Sequence, residues 1–399
     1  MRIGILWKND YPWDVRVEKI ARCLAEDGHE VFILCANVKG RSRAETMAGL
    51  HIRRLPATSS PLLNRIISIP FYLNPFWFRM ANRVVVRERL ELIIVRDLPL
   101  ISVGLWLKRR RGIPLILDMA ENYPAMYREG LHVGGLRGFV QWVMKNPRIM
   151  ELMERKAIRA VDHTLVVVEE SAQRIKKIGA PEERVSIVSN TPRVEVPVSI
   201  DPPGDQRSRS YLLLMYVGFV QDGRGLDVVI HALRALHDKG QDVRLRVVGD
   251  GDYMKRLVTL VREERLEHAV EFTGWVAHSE VTKHIQDGDI GVIPHPKNAH
   301  TDTTIPNKLF DYMAGAKPVI VSNAAPLERI VTEESCGLVF SAGSVDSLAD
   351  VLMRMITDPR GRKSMGRNGA EAVQCRFNWD RDAVVLRNVV ARVGSTRIG

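Results

Sequence analysis

The sequence predicts an α/β protein made of two doubly wound domains in tandem. Three observations carry that expectation. Short apolar runs alternate with amphipathic helical stretches along the chain, the pattern of parallel sheets covered by helices. The alternation breaks once, across residues 191–210, where Pro192, Pro197, Pro202, Pro203 and Gly204 precede a polar run from Asp205 to Ser210. Such a stretch offers nothing to pack and reads as a linker. A chain of 399 residues is also long enough for two hydrophobic cores.

Taken in order, the first domain contributes strands at Ile3–Trp7, Val31–Ala36, Leu92–Val95, Leu115–Leu117, Thr164–Val168 and Val185–Val188. Each is a continuous apolar run, as burial on both faces requires. Between the first two lies a helix over Asp14–Asp27, whose Val17, Ile20 and Leu24 share one face and which Gly28 ends. The second domain restarts the pattern with Leu212–Val217, Val243–Val248, Val270–Thr273, Ile290–Ile293, Val319–Ser322 and Leu338–Phe340. A helical stretch over Arg376–Val393 follows, free to extend the second domain or to cross back to the first. The expected division is residues 1–192, a linker at 193–210, a second domain at 211–375 and a C-terminal helix in 376–399.

Hydrophobic residues make up 45% of the chain and charged residues 26%, which places it among ordinary soluble proteins. The net charge of +11 points outward, to nucleotide phosphates, nucleic acid or an acidic membrane surface. Cys23, Cys35, Cys336 and Cys375 form no Cys-x-x-Cys pair, which argues against zinc and a disulfide framework and fits a reducing cytoplasm. No apolar run reaches membrane-spanning length. The opening Met1–Leu6 reads as a first strand rather than a signal peptide, being short and followed by Lys8 and Asp10. The expected location is the cytoplasm, with peripheral attachment to the inner face of the plasma membrane as a further expectation.

In open parallel sheets, ligands bind beyond the carboxyl ends of the strands. In the second domain the relevant loops are 218–225, with Gly218, Gly223, Arg224 and Gly225; 249–252, with Gly249 and Asp250; 294–304; and 323–326. In the first they are 8–16, 96–99, 118–124 and 169–171. Glycine in such loops permits close approach to a ligand but equally serves plain turn geometry. The most informative stretch is His300–Ile320, which reads as a loop, a short helix and a buried strand. Pro306 suits the first helical turn, and Thr303 or Thr304 is placed to cap it. Leu309 and Met313 should face the core, leaving Lys308 and Asp311 together near the helix N-terminus. That end is a natural seat for phosphate, with Lys308 adding charge and Asp311 accepting from sugar hydroxyls. The same pair also reads as an ion pair on a solvated helix face.

With both domains laid out, the residues resemble the retaining, nucleotide-sugar-dependent glycosyltransferases of family four, which have the GT-B fold. The resemblance runs over nearly the whole chain and is strongest at Pro306–Ile320. Supporting pieces are Asp14–Lys19, Gly28–Val31, Val188–Pro192, Val217–Gly218 with Arg224–Leu226, and Val248–Gly251. It implies two Rossmann-like domains facing each other across a cleft, the first binding acceptor and the second the nucleotide sugar. It also implies retaining transfer of a hexosyl or N-acetylhexosaminyl group from a nucleotide diphosphate, UDP before GDP-mannose. The family carries a pair of acidic residues at fixed spacing here. The second falls on Asp311, but the first falls on Thr303, with Asp302 as a substitute if the loop shifts. Of the family's Arg and Lys on the diphosphate, Arg224 matches one, while Phe219 or Val220 occupies the other place and Lys308 is left to supply its charge. Ala120 stands where many relatives carry a histidine.

The donor residues implied are thus Gly218, Arg224, Gly249, Asp250, Thr303, Thr304, Ile305, Asn307, Lys308 and Asp311. Those implied for the acceptor are Asp14, Arg16, Asp118, Glu121 and Asn122, although Asp118 reads equally as a helix cap. Arg224, Lys308 and helix N–H groups would stabilise the departing diphosphate without a metal, with Glu121 as the further catalytic candidate. His295 and His300 flank a loop at a spacing that fits no strong zinc pattern, and no other cofactor is expected.

Residues 62–89 combine Ile66, Ile67, Ile69, Phe71, Tyr72, Leu73, Phe76, Trp77 and Phe78 with Arg79, Arg83, Arg87 and Arg89, and a second basic cluster lies at Lys108–Arg111. An apolar, aromatic segment beside basic residues suits docking on anionic membrane and a lipid-linked glycan acceptor in cell-surface polysaccharide or glycolipid synthesis. The alternative is a packed helix pair with a solvated basic face, since Pro61, Pro70 and Pro75 interrupt any long helix. Rival functions are a nucleotide-sugar 2-epimerase of the same fold and a degenerate, non-catalytic nucleotide-sugar-binding protein, the latter because Thr303 and Ala120 lack the usual groups. A nicotinamide enzyme lacks its Gly-x-Gly-x-x-Gly turn, and nucleic-acid binding lacks a recognition motif.

Overall fold

The apolar runs become the strands of two sheets in the computed structural model, which describes residues 1–12, 14–69, 72–129, 145–193 and 209–395. The first sheet is formed by β1 (Arg2–Trp7), β2 (Glu30–Cys35), β3 (Ala44–Met47), β4 (Leu50–Arg54), β5 (Leu92–Arg96), β6 (Leu115–Met119), β7 (His163–Val166) and β8 (Val185–Ile187). Their spatial order is β3-β4-β2-β1-β5-β6-β7-β8. The second holds β9 (Leu212–Val217), β10 (Val243–Val248), β11 (Val270–Gly274), β12 (Ile290–Ile293), β13 (Val319–Ser322) and β14 (Gly337–Phe340), ordered β11-β10-β9-β12-β13-β14. Chain order therefore reverses between β1 and β5 in one sheet and between β9 and β12 in the other. In doubly wound sheets the connections diverge at such a point and leave a crevice at the carboxyl edge.

The strands are apolar because helices bury them. Ile3, Ile33, Leu115, Leu214, Val292 and Ile320 are all fully buried. The helix Val15–Glu26 is set by Asp14, whose carboxylate accepts from the Val17 N–H at 2.9 Å, and it buries Val17, Ile20 and Leu24 as the periodicity predicts. One compact unit comprises Met1–Ser189 together with the chain from Asp382 on; the other runs from Asn190 to Arg381. The final helix, Trp379–Ser395, is shared between them. Within the first unit Arg387 approaches Asp27 at 3.5 Å and Arg392 donates to His163 Nδ1 at 3.0 Å. Most of the linker expected at 193–210 lies outside the described residues, as do Trp13, Pro70 and Phe71.

Two expectations need correction. The first sheet is not wholly parallel, because β3 pairs antiparallel with β4. Ala48 and Gly49 turn the hairpin with φ of +50° and +80°, the mirror-image turn that matches strand twist. This edge pair escaped detection because Ala44–Met47 is mostly exposed and carries no apolar run. Residues 61–87 form two helices, Pro61–Ser68 and Pro75–Arg87, each opening on a proline in its first turn. The Asn74 amide joins them, donating to the carbonyls of Ile67 and Ile69 at 2.9 Å while its oxygen accepts from the Phe76 N–H. Trp77, Met80, Ala81, Val84 and Val85 are buried, so the second helix is a core element with Arg79, Arg83 and Arg87 on its solvent side. Among the described residues of this segment, Leu62, Leu63, Ile66, Leu73 and Val86 keep large apolar exposure. No helix among the described residues is long and apolar enough to cross a membrane.

Candidate functional site

At the crevice of the second sheet, the loop after β9 and the loop after β12 are packed backbone against backbone. A Cβ on Gly225 would lie 1.9 Å from the Pro294 carbonyl oxygen, and Gly225 has a φ of +75°, so only glycine fits. The loop after β10 closes in as tightly, since a Cβ on Gly251 would meet the Val220 carbonyl oxygen at 2.0 Å. The close packing brings side chains from separate loops together. Arg224 Nη1 donates to His295 Nε2 at 3.4 Å, which makes the imidazole neutral with its proton on Nδ1. Lys308 Nζ sits 3.6 Å from the centroid of the Tyr216 ring and runs alongside Gly218. The Tyr216 hydroxyl is held by the Phe219 carbonyl at 2.9 Å, and burial pushes it up to about 12.

Three positive or protonatable groups thus converge with little counter-charge. Burial, then the neighbouring Arg224, holds Lys308 well below the ordinary lysine range, and Asp311 offsets only part of this. His295 is held well below the usual imidazole value by burial and by Lys308, Arg224 and His300, all of which oppose its protonation. An anion placed here would reverse both effects. The helix Asn307–Ala314 presents its N-terminus at the same edge, adding dipole of the same sign. This helix is anchored by Tyr312, buried beneath it, whose hydroxyl accepts from the Val217 N–H at 2.9 Å and donates to the Met215 carbonyl at 3.0 Å.

Other predicted donor residues have different local duties. The helix begins one residue later than expected, with Pro306 outside it, and neither threonine caps it. Thr303 donates to the Ala299 and His300 carbonyls and Thr304 to that of His300, because the chain makes a tight 3₁₀ turn at Thr301–Thr303 before reaching the helix. Asp302 does not take the missing acid's place: its carboxylate accepts from the Ala325 N–H at 2.8 Å, at the start of the next helix. Gly249 donates its N–H to the Gly274 carbonyl at 3.0 Å, and Asp250 accepts from the Gly251 N–H at 2.7 Å. Gly218 bonds back to Val248; Ile305 is buried, Asn307 exposed and Asp311 half-buried.

The crevice of the first sheet, between β1 and β5, holds a denser and more balanced set of charges. Asp118, fully buried, is gripped by Arg16 through Nη2 at 2.6 Å and Nε at 3.0 Å, so it is half of an ion pair rather than a helix cap. Burial pushes its carboxyl up, but Arg16 and Arg96 outweigh this and hold it low. Asp97 adopts φ +65°, ψ 168°, a conformation costing on the order of 1–3 kcal/mol outside glycine. It is kept there by Arg96 at 2.6 Å, by the Ala120 N–H at 3.1 Å and by the Tyr123 hydroxyl at 3.3 Å. Lys8 donates to the same Tyr123 hydroxyl, and burial lowers its ammonium below the usual lysine value. Asp14 caps its helix and Asn122 accepts from the Ala125 N–H at 3.2 Å. Arg16, Asp118 and Asn122 therefore lie beneath the surface as supports. Glu121 is half-buried and bears electrostatically on Lys8 and Tyr123.

The strand-end rule had marked the loops 8–16, 96–99, 118–124 and 294–304, but within them sequence reasoning singled out none of Lys8, Arg96, Asp97 and Tyr123 and weighed His295 only as a metal ligand. Tyr216, inside β9, it missed, because nothing in an apolar strand marks a ring that a lysine from another loop will cover.

Comparison with known proteins bears on the whole chain. The model "Glycosyl transferases group 1" matches residues 204–372 and the model "Glycosyl transferase 4-like domain" matches residues 14–191. The GDP-mannose-dependent alpha-(1-6)-phosphatidylinositol monomannoside mannosyltransferase of Mycobacterium tuberculosis is 29% identical over 165 residues, which is 41% of this chain and 43% of that protein. The chain spans about half the length of the curated relatives it matches. Among solved structures, sucrose-phosphate synthase from Thermosynechococcus elongatus superposes with a TM-score of 0.80 at 17% identity, over 99% of both chains. Anabaena Alr3699/HepE, in complex with UDP-glucose, gives 0.72 at 15% identity over 98% of this chain and 100% of its own.

Proposed function

Because the chain belongs to the group 1 glycosyltransferases, with the GT-B fold, we propose that it moves a hexosyl or N-acetylhexosaminyl group from a nucleotide diphosphate to an acceptor hydroxyl with retention at the anomeric carbon. The observation that carries the donor half is the convergence of Arg224, Lys308 and His295 at the second sheet's crevice with little opposing charge. A diphosphate supplies the missing negative charge. As the sugar leaves, that charge grows, and cations fixed in a buried setting favour the transition state over the ground state. In this reading Arg224 and Lys308 carry the departing diphosphate in place of a metal ion, and Asp311 takes the ribose. Glu121, half-buried at the first crevice, is the group assigned to the acceptor.

UDP is the favoured base and GDP the second, since the mycobacterial relative is named as GDP-mannose-dependent. The same relative acts on a lipid-borne glycan, which supports a lipid-linked acceptor here, as do the exposed Leu62, Leu63 and Ile66 beside a chain of net charge +11. Peripheral docking on the cytoplasmic face follows from that reading. If flotation with anionic liposomes gives no salt-sensitive binding, the docking part is wrong and the transfer part stands.

The primary test is a thermal-shift screen of UDP, GDP and their sugars against wild type, Lys308→Ala and Asp311→Ala. A ligand at a hundred times its dissociation constant adds about 2.7 kcal/mol of stability. One nucleotide should shift wild type and fail to shift Lys308→Ala. The matching nucleotide sugar, given acceptor, should then release free nucleoside diphosphate. Conversion of the nucleotide sugar to its 2-epimer without net release of diphosphate would point to the 2-epimerase, and binding without turnover to a non-catalytic protein.

A further inference from the structure

A groove lies in the first unit between the helices Ile101–Arg111 and Pro147–Ala160, and sugar transfer makes no use of it. Its volume is about 610 Å³. Leu73, Leu105, Trp106 and Met153 line it, and the Trp106 ring is braced edge-on by Phe78 at a centroid distance of 5.5 Å. Both helices lead into strands of one parallel sheet, so they run in the same direction and their last turns lie at the same end. At that end the lining changes from apolar to cationic, with Lys108, Arg109 and Lys156. Asp162 holds Lys108 at 2.5 Å. Arg109 and Lys156 are exposed and have no acidic partner among the described residues. From Ile101 to Arg109 the trough follows eight helical steps, about 12 Å, the reach of a medium-length acyl segment.

We propose that this groove binds one acyl chain of an anionic phospholipid, with the headgroup phosphate on Arg109 and Lys156. A free sugar phosphate would leave the apolar wall wet, and a neutral lipid would leave two cations unanswered; one molecule with a hydrocarbon tail and a negative head satisfies both ends. The cationic end faces away from the carboxyl edge where the crevice lies, so the bound lipid is an anchor and not the acceptor.

The test is calorimetric titration of the full chain with short-chain lysophosphatidylglycerol below its micelle concentration. Saturable one-to-one binding is expected, with lysophosphatidylcholine of equal chain length at least tenfold weaker. Arg109→Glu with Lys156→Glu should weaken the glycerol lipid at least tenfold and leave the choline lipid unchanged, while Leu105→Gln weakens both. Nucleotide-induced thermal shifts retained in each variant establish that it is folded. Unsaturable binding, or equal affinity in the charge-reversed pair, overturns the proposal. So does loss of binding in Leu62→Ser with Ile66→Ser, which would assign the lipid to the exposed helix instead.

Discussion

Three glycine-to-alanine substitutions separate the two reasons that glycine lines the donor crevice. Gly223 has a φ of +72° with nothing near the position of a Cβ, so Gly223→Ala incurs only the left-handed backbone cost, about 1 kcal/mol. Gly251 has an ordinary φ but would put its Cβ 2.0 Å from the Val220 carbonyl oxygen, so Gly251→Ala incurs only the clash, about 1–3 kcal/mol by analogy with an overpacked core. Gly225 carries both burdens, and Gly225→Ala should lose about 2–4 kcal/mol. The loops after β9 and β12 must then part by roughly an ångström, which separates Arg224 from His295. Displacements of about 1 Å at a site cost up to about a hundredfold in rate. Urea denaturation should rank the three variants in that order, and calorimetric titration with the cognate nucleotide should show near-wild-type affinity in Gly223→Ala and at least a tenfold loss in Gly225→Ala. A Gly225→Ala protein that binds as tightly as wild type would refute the claim that backbone packing sets the cationic cluster.

Three further outcomes are expected. Lys308 is depressed by burial and by Arg224, and His295 by burial and by both of those cations, so a diphosphate should raise each; nucleotide binding should therefore take up protons, seen as a buffer-dependent heat, and Lys308→Met should reduce the uptake. His163 is lowered to about 4 by burial and then by Arg392 and Arg184, its Nδ1 accepting from Arg392. Its folded value lies below the unfolded one, so the unfolded chain binds more protons as pH falls. Stability should be complete above pH ~6.5 and decline toward pH ~4, by at most about 3 kcal/mol, and His163→Gln should flatten that slope. Breaking the buried Arg16–Asp118 pair by Asp118→Ala should cost about 3–5 kcal/mol in denaturant titrations, whereas replacing both partners with apolar residues should cost much less. Equal losses for the single and double variants would show that the pair itself contributes the stability.

Much of the fold was legible because strand burial writes itself into sequence. β9, β10, β12 and β13 coincide with their apolar runs, and Val17, Ile20, Leu24, Leu309 and Met313 are buried as their periodicity predicts. Lys308 and Arg224 were legible from a helix N-terminus and a glycine loop at strand ends. What the sequence could not separate was two uses of one residue type. Asp14 and Asp302 satisfy helix N–H groups and Asp118 an arginine, yet each reads on paper as a carboxylate available to substrate. Residues 62–89 held two patterns in one apolar stretch, and only packing divided the buried Trp77 from the exposed Leu62.

By itself, then, the sequence determined the parallel strands at the heart of both sheets and the edge of each where chemistry belongs, because local hydrophobic periodicity and loop composition are properties of neighbouring residues. Only the tertiary structure decided that Arg224, His295 and Lys308, spread over more than eighty positions of chain, share one poorly compensated patch of charge, and that Lys8, Asp97 and Tyr123 meet in a second, more balanced cluster. Electrostatic coupling depends on distance and burial in space, and strand order, which sets both, is fixed by the packing of the whole domain.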